Sequence, residues 1–449
     1  MSDWTDAERR VERAQQFFEQ RKWSDALREI RAATEINPYN PTWFFNMGLI
    51  LDEMGRFEEA LEAYRQAQGI DPRDLQTLNH MGMDLFRMGM YDRAIGVCED
   101  IQRIDATFEP SYCNRIIAYA HKGRHDLAEE MFYTARLYKE DCPHCYYNMG
   151  VSLEARGLFE KAIYCWTRSL DLQGGQNDVH VRIAHAQWKK GDLEDARRSF
   201  LTDLRLNPGR TQTMLDLGEL LVEIGRKDEA SEKFRRAIEL APDEPGGHYH
   251  LGRLLMMANR DQDAAVLFAK VMQLDPTYYG AHMSMGRIYL RRGDFPSARN
   301  ELRAELQIRP DNPKILLELA NLLLDTGDSR AALACLKWLV GIRPDLVSGW
   351  LNLAVAQFTR GHYQEGISSC HTALSRDPKC VMALYNLGLA HEHLGQFETA
   401  LDFVRQARQF DPSDSALQRL ELRLWMLRLH RSAKQRLHSW LQWMHFRRP

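Results

Sequence analysis

The residues best placed to do chemistry are Cys142, Pro143, His144 and Cys145, a Cys-x-x-Cys pair with a histidine inside it. Two thiols at this spacing form half of a zinc site or a redox pair. Zinc needs two further ligands, and Cys113, His121 and His144 are the candidates from the same stretch of chain. The pair precedes an amphipathic segment, and a helix N-terminus lowers a thiol's pKa, which favours redox chemistry. A third reading is that these thiols are small core residues, as is expected of Cys98 and Cys165 from their place in the pattern below. Other candidates fail on spacing. His391-Glu392-His393 sets its histidines two residues apart, and His180 and His185 are five apart, so neither pair shares a helix face. The chain contains no phosphate loop, dinucleotide fingerprint or nucleophile elbow. It makes no positive case for an enzyme, and no cofactor is expected.

The elements that must position these residues follow from a repeat. Pro38, Pro72, Pro208, Pro242, Pro276, Pro310, Pro344, Pro378 and Pro412 share one 34-residue grid, which passes through Ala106, Glu140 and Gly174 where proline is missing. Twelve units fill residues 7–414 without insertion or deletion. A second column holds alanine from Ala26 to Ala400, with Gly366 as its one exception. A third holds small residues, among them Gly48, Gly82, Gly150, Gly252 and Gly388, and is broken only by Ile116. A fourth supplies glycines from Gly55 to Gly395. Small residues let two helices approach closely. The fourth-column glycine ends the first helix in a left-handed conformation, and the proline turns the chain into the next unit. Each unit is therefore a helix hairpin that cannot bury its apolar face alone, and stacking makes a continuous core.

The period and motifs such as LYNLGLAHEHLGQFETAL at 384–401 resemble the tetratricopeptide repeat. The resemblance covers 408 of 449 residues. It implies an all-α, right-handed solenoid superhelix of tandem hairpins, with first helices lining a concave groove. It also places Asn46, Asn114, Asn148, Asn352 and Asn386 at groove position 6, and Phe45, Tyr147, Tyr249 and Tyr385 at position 5. The asparagines are similar to the ladder in the repeat arm of O-linked N-acetylglucosamine transferases, without a catalytic domain. An amide can grip an extended peptide backbone, and aromatic rings anchor partners. Arg253, Arg287 and Arg291 fall on the same face and make a candidate patch for an acidic peptide. No unit carries Lys at position 5, so the carboxylate clamp of co-chaperone domains is not expected.

Charge is asymmetric. The chain has 59 basic and 62 acidic residues, but residues 415–449 hold eight Lys or Arg against one acid, Glu421. An acidic body disfavours nucleic acid as a partner. The domain reading is a lead-in at 1–6, the solenoid at 7–414 and a basic amphipathic cap at 415–449. In that tail Leu417, Leu420, Leu424 and Leu427 form one stripe and Leu422, Trp425, Met426 and Leu429 an opposite one, followed by a second segment with Ala433, Leu437, Trp440, Leu441 and Met444 at helical spacing and Trp443 and Phe446 nearby. Arg436 and its basic neighbours decorate that segment, and Trp425, Trp440, Trp443 and Arg436 are its docking candidates. Such a helix reads as partner-docking, self-associating or membrane-surface, or as a plain cap in which the second segment folds back over the first. With no apolar run long enough to span a bilayer and no signal peptide at MSDWTDAERRVERAQQ, the expected setting is cytoplasmic, with reduced thiols. The expected function is a non-catalytic scaffold that binds protein partners through an extended or acidic peptide. The rivals are a membrane-peripheral assembly factor anchored by the tail and a zinc- or redox-responsive protein.

Overall fold

A computed structural model describes residues 3–173 and 178–445, with side chains from 4 and up to 436. Among these residues there are twenty-five helices and no strands. Twenty-four helices alternate as the first and second helices of the twelve repeats, and the last runs Ser415–His445. The first helix begins at Asp3, so most of the lead-in belongs to it. The fold is an all-α solenoid of helix hairpins.

The column residues do what their chemistry requires. All ten glycines of the turn column have positive φ, from Gly55 at 71° to Gly395 at 72°. The two repeats lacking this glycine, the first and the eighth, put Arg21 and Asn259 in the same slot, both at φ 57°. The turn is thus set by hairpin geometry, and glycine is its least strained occupant. The small column trades volume with the second helix. A Cβ on Gly150 would lie 2.4 Å from the Trp166 indole nitrogen. Glycine there lets Trp166 be fully buried and donate its Nε1–H to the Tyr147 carbonyl at 3.1 Å. Gly48 makes the same room for Tyr64.

The chain divides into two compact units, Met1–Arg226 and Lys227–Pro449, with the boundary inside the seventh repeat. The first unit has one core through repeats 1–3, around Ile30, Leu51, Tyr64 and Ile101, and another through repeats 3–6, around Ile116, Phe132 and Trp166. The second unit is richer in aliphatic side chains, with Leu302, Leu316, Leu336 and Leu339 fully buried.

The end of the second unit departs from the sequence expectation in one respect. Residues 415–445 form one helix, not two segments. His430 through Arg436 contain no glycine or proline to interrupt it. Leu417, Leu420 and Leu424 are buried against the twelfth repeat, and Arg423, Arg428 and Arg431 reach Glu392, Glu398 and the Gly395 carbonyl. The opposite stripe is open: Leu422, Trp425, Met426 and Leu429 are 59, 50, 53 and 48% exposed. The side chains of Trp440 and Trp443 lie outside the described residues. No described helix is long and apolar enough to cross a membrane.

Candidate functional site

Two features of the first unit bear on function. The first is a recess lined by first helices of repeats 3–6. Met83, Phe86, Arg87, Asn114, Ile117, His121, Tyr147, Asn148, Val151 and Arg182 surround it. Their spacing explains the gathering, since one residue per helix recurs at the repeat period and lands on one surface. Asn114 donates to Asn79 Oδ1 at 2.9 Å, and Asn148 donates to the Cys113 carbonyl at 2.8 Å. Each amide spends one N–H this way and keeps its other N–H and its carbonyl. Tyr147 donates to Asp178 Oδ2 at 2.6 Å and accepts from Arg182 Nε at 2.8 Å. Burial, with that bond to Asp178, pushes its hydroxyl up to about 12, so it stays a protonated donor.

The remaining groove candidates are scattered by the structure. Asn46 lines a separate hollow with Val11, Phe18 and Ile50. Asn352 donates to Asn321 Oδ1 at 2.6 Å, and Asn386 is buried. Phe45 packs on Tyr64 and His80, Tyr385 joins the core under the terminal helix, and Tyr249 sits among Phe268 and Tyr278. These rings pack between neighbouring helices. The arginines do not form an open positive patch, a correction to the sequence expectation. Arg287 is clamped by Glu318, Arg291 pairs with Asp261 at 2.9 Å and donates to the Met256 carbonyl, and Arg253 lies over the Tyr249 ring. The cause is register: each acid lies about one repeat away, on the adjoining hairpin.

The second feature is the cysteine pair. Cys142 is the N-cap of the first helix of repeat 5, Pro143–Ala155, and its sulfur accepts the Cys145 backbone N–H at 3.1 Å. This turn aims both sulfurs at the first helix of repeat 4, Glu109–His121, where Glu109 and Cys113 stand four residues apart on one face. Cys113 Sγ lies 3.4 Å from Cys142 Sγ and 2.9 Å from Cys145 Sγ. Glu109 Oε1 lies 2.9 Å from Cys113 Sγ, 3.8 Å from Cys145 Sγ and in contact with Cys142 Sγ. All four ligand atoms are within 4.8 Å of one another. His144, one of the sequence candidates, is exposed and outside this group. At the second helical position it faces away from the sulfurs at the cap and third position. His121 instead stacks on Tyr91. Glu109 was missed because it lacks the cysteine signature. The available signal was its place four residues before Cys113 and one repeat before Pro143, the residue next to Cys142.

The sulfurs are electrostatically unlike the other thiols. Burial, the largest cause at each, pushes Cys165 up to about 11 and Cys98 and Cys370 up to about 12, the behaviour of inert core residues. In the cluster, hydrogen bonds from Cys113 and Cys145 hold Cys142 far below the usual thiol range, while its bond to Cys142 pushes Cys113 up.

Comparison with known proteins bears on the repeat. One tetratricopeptide repeat profile matches residues 181–245, 215–279, 283–347, 317–370 and 351–415, and two others match 41–74 and 255–304. No curated protein matches the chain. Among solved structures, a tetratricopeptide repeat protein from Parabacteroides merdae aligns with TM-score 0.46 and 15% identity over 56% of this chain and 99% of its own. The Cut9–Hcn1 hetero-tetramer of the APC/C aligns with TM-score 0.42 and 12% identity over 92% and 95%. YrrB, described as having an unusual peptide-binding site, aligns with TM-score 0.40 and 20% identity over 42% and 97%. With its period realised as paired helices and one profile matching more than half its length, the chain belongs to the tetratricopeptide repeat family.

Proposed function

We propose that this chain is a non-catalytic protein-interaction scaffold that takes an extended peptide segment across the first-helix face of repeats 3–6. Proteins of its family generally mediate protein–protein interaction. The observation that carries the reading is the recess, where four successive first helices present amides, an aromatic hydroxyl and apolar side chains side by side. Open amide groups grip a peptide backbone without reading its sequence. Ile117, Val151 and Phe86 supply apolar contact for alternate side chains. The test is peptide display against the full chain, followed by affinity measurement on Ile117→Arg and Asn114→Ala. Loss of a central apolar contact weakens binding by about tenfold or more. Selected peptides that bind both variants as tightly as the parent chain would sink the reading.

A second reading is favoured by the terminal helix. Its open stripe of Leu422, Trp425, Met426 and Leu429 sits on a helix carrying six basic residues from Arg419 to Arg436 and one acid, Glu421. This arrangement suits an apolar docking surface with negative charge around it, a membrane face included. Co-sedimentation with anionic vesicles, comparing the full chain with Trp425→Glu, tests it; equal partition of both proteins removes the membrane role.

A further inference from the structure

We propose that Glu109, Cys113, Cys142 and Cys145 form a structural zinc site that staples repeat 4 to repeat 5. Three thiolates and one carboxylate complete the four-ligand tetrahedral set that zinc takes in structural sites. Soft sulfur donors select zinc over calcium or magnesium. Zinc–sulfur bonds of about 2.3 Å place tetrahedral sulfurs roughly 3.8 Å apart. The sulfur pairs here, at 2.9 and 3.4 Å, reach that geometry by moving less than about 1 Å. Cys113, Cys142 and Cys145 are 6, 1 and 1% exposed, and the partly exposed Glu109 closes the solvent side.

The surroundings support ligation. Ser169 Oγ donates to the Pro143 carbonyl at 2.7 Å and holds the cysteine turn. The Cys145 N–H already points at the Cys142 sulfur at 3.1 Å, as backbone donors do around metal-bound thiolates. Asn148 fixes the Cys113 carbonyl at 2.8 Å, and Lys139 lies 3.5 Å from Glu109 Oε2, offsetting the negative charge of the ligand set. Such outer contacts orient ligands. Binding releases the thiol protons to solvent as the zinc–sulfur bonds form. Since the ligands come from the repeat 4 first helix and from the cap and first turn of the repeat 5 first helix, the metal adds a tie to elements otherwise joined by packing and the Asn148 hydrogen bond. This inference stands apart from the peptide-binding reading, because the site can hold metal whether or not the recess binds a peptide.

The test uses the full chain, reduced, stripped with a chelator and titrated with cobalt(II). The expected result is one cobalt per chain, with thiolate-to-cobalt charge-transfer and tetrahedral d–d bands that zinc abolishes. Cys145→Ser is expected to weaken binding by more than the roughly 10–100-fold that loss of an outer-shell partner costs. Glu109→Gln keeps three sulfurs and is expected to bind more weakly while retaining the charge-transfer band. Cys165→Ser, outside the cluster, is expected to bind like the parent chain. Should the cysteine variants fail to fold, zinc protection of three of the eight thiols against alkylation in the unmutated chain gives an independent readout. Absence of the bands and of thiol protection overturns the proposal. So does an unchanged titration of folded Cys145→Ser, or a disulfide among these cysteines in protein purified without reductant.

Discussion

The junction between repeats 4 and 5 and that between repeats 10 and 11 are built on the same grid but filled differently. The slots of Glu109, Cys113, Cys142 and Cys145 in the former correspond to Pro313, Leu317, Leu346 and Gly349 in the latter. There Leu317 and Leu346 join an aliphatic core, and a Cβ on Gly349 would meet Val340 and Leu339 at 3.3 and 3.4 Å. The contrast extends upstream into repeats 2 and 3, where Asp52 and Asp84 occupy the slots of Met256 and Ile288. The lesson is that this solenoid closes its junctions with apolar side chains where nothing else is asked of them. The first unit instead sets three buried thiols beside a carboxylate in those slots, the donor set of the proposed metal site.

The largest effect that would sharpen the contrast is expected at the aliphatic junction. Leu339→Ala removes a fully buried side chain and should cost about 2–5 kcal/mol, by an amount that thermal unfolding finds unaltered by chelator. Stripping zinc from the first unit should cost about 3 kcal/mol relative to protein held at a hundred times the dissociation constant. Hydrogen exchange should locate that loss in repeats 4 and 5 and leave 10 and 11 unchanged. Uniform loss across both junctions would break the comparison. Gly150→Ala should cost about 1–3 kcal/mol by overpacking Trp166. The repeat 11 pair at these positions is Ala354 and Cys370, so adding Trp166→Cys should recover part of the loss in a double-mutant cycle.

A smaller effect concerns pH. Asp84 is buried, and burial together with Asp52 pushes its carboxyl up from 3.8 to about 7, against the pull of Arg87. The folded first unit therefore holds a proton that the unfolded chain releases above about 4. This stabilisation is full below pH 3.8 and is lost as pH rises to about 7. Asp84→Asn should flatten the slope, by on the order of 1 kcal/mol per pH unit within that window, in denaturant titrations at pH 4.5 and pH 8. The smallest expected change is Arg428→Ala at the exposed pair with Glu398, below about 1 kcal/mol and reduced further by salt.

Much of this architecture was legible in the residues alone. Helix ends were readable because glycine, proline and alanine columns each answer a local demand, and the buried stripe of Leu417, Leu420 and Leu424 was readable from helical periodicity. The site was legible only in part. Cys142, Cys145 and Cys113 announce themselves by type, but Glu109 resembles any surface acid until the repeat 4 helix turns it toward them. His144 looked eligible because spacing along the chain does not say which way a side chain at a helix start will point. The arginines looked available because their carboxylate partners lie about thirty residues away.

What the sequence by itself determined is the local grammar: a 34-residue period, two helices per unit, the residue that ends each, and the face each must bury. Those properties arise from φ preferences and side-chain volume, which act over a few residues. What only the tertiary structure decided is which polar groups meet across hairpins. It selected Glu109 over His144, paired Arg287 with Glu318 and Arg291 with Asp261, and left the Leu422, Trp425, Met426 and Leu429 stripe open. The physical reason is that such contacts depend on the stacking offset between repeats, which is set by the summed packing of whole helices and written in no short segment of the chain.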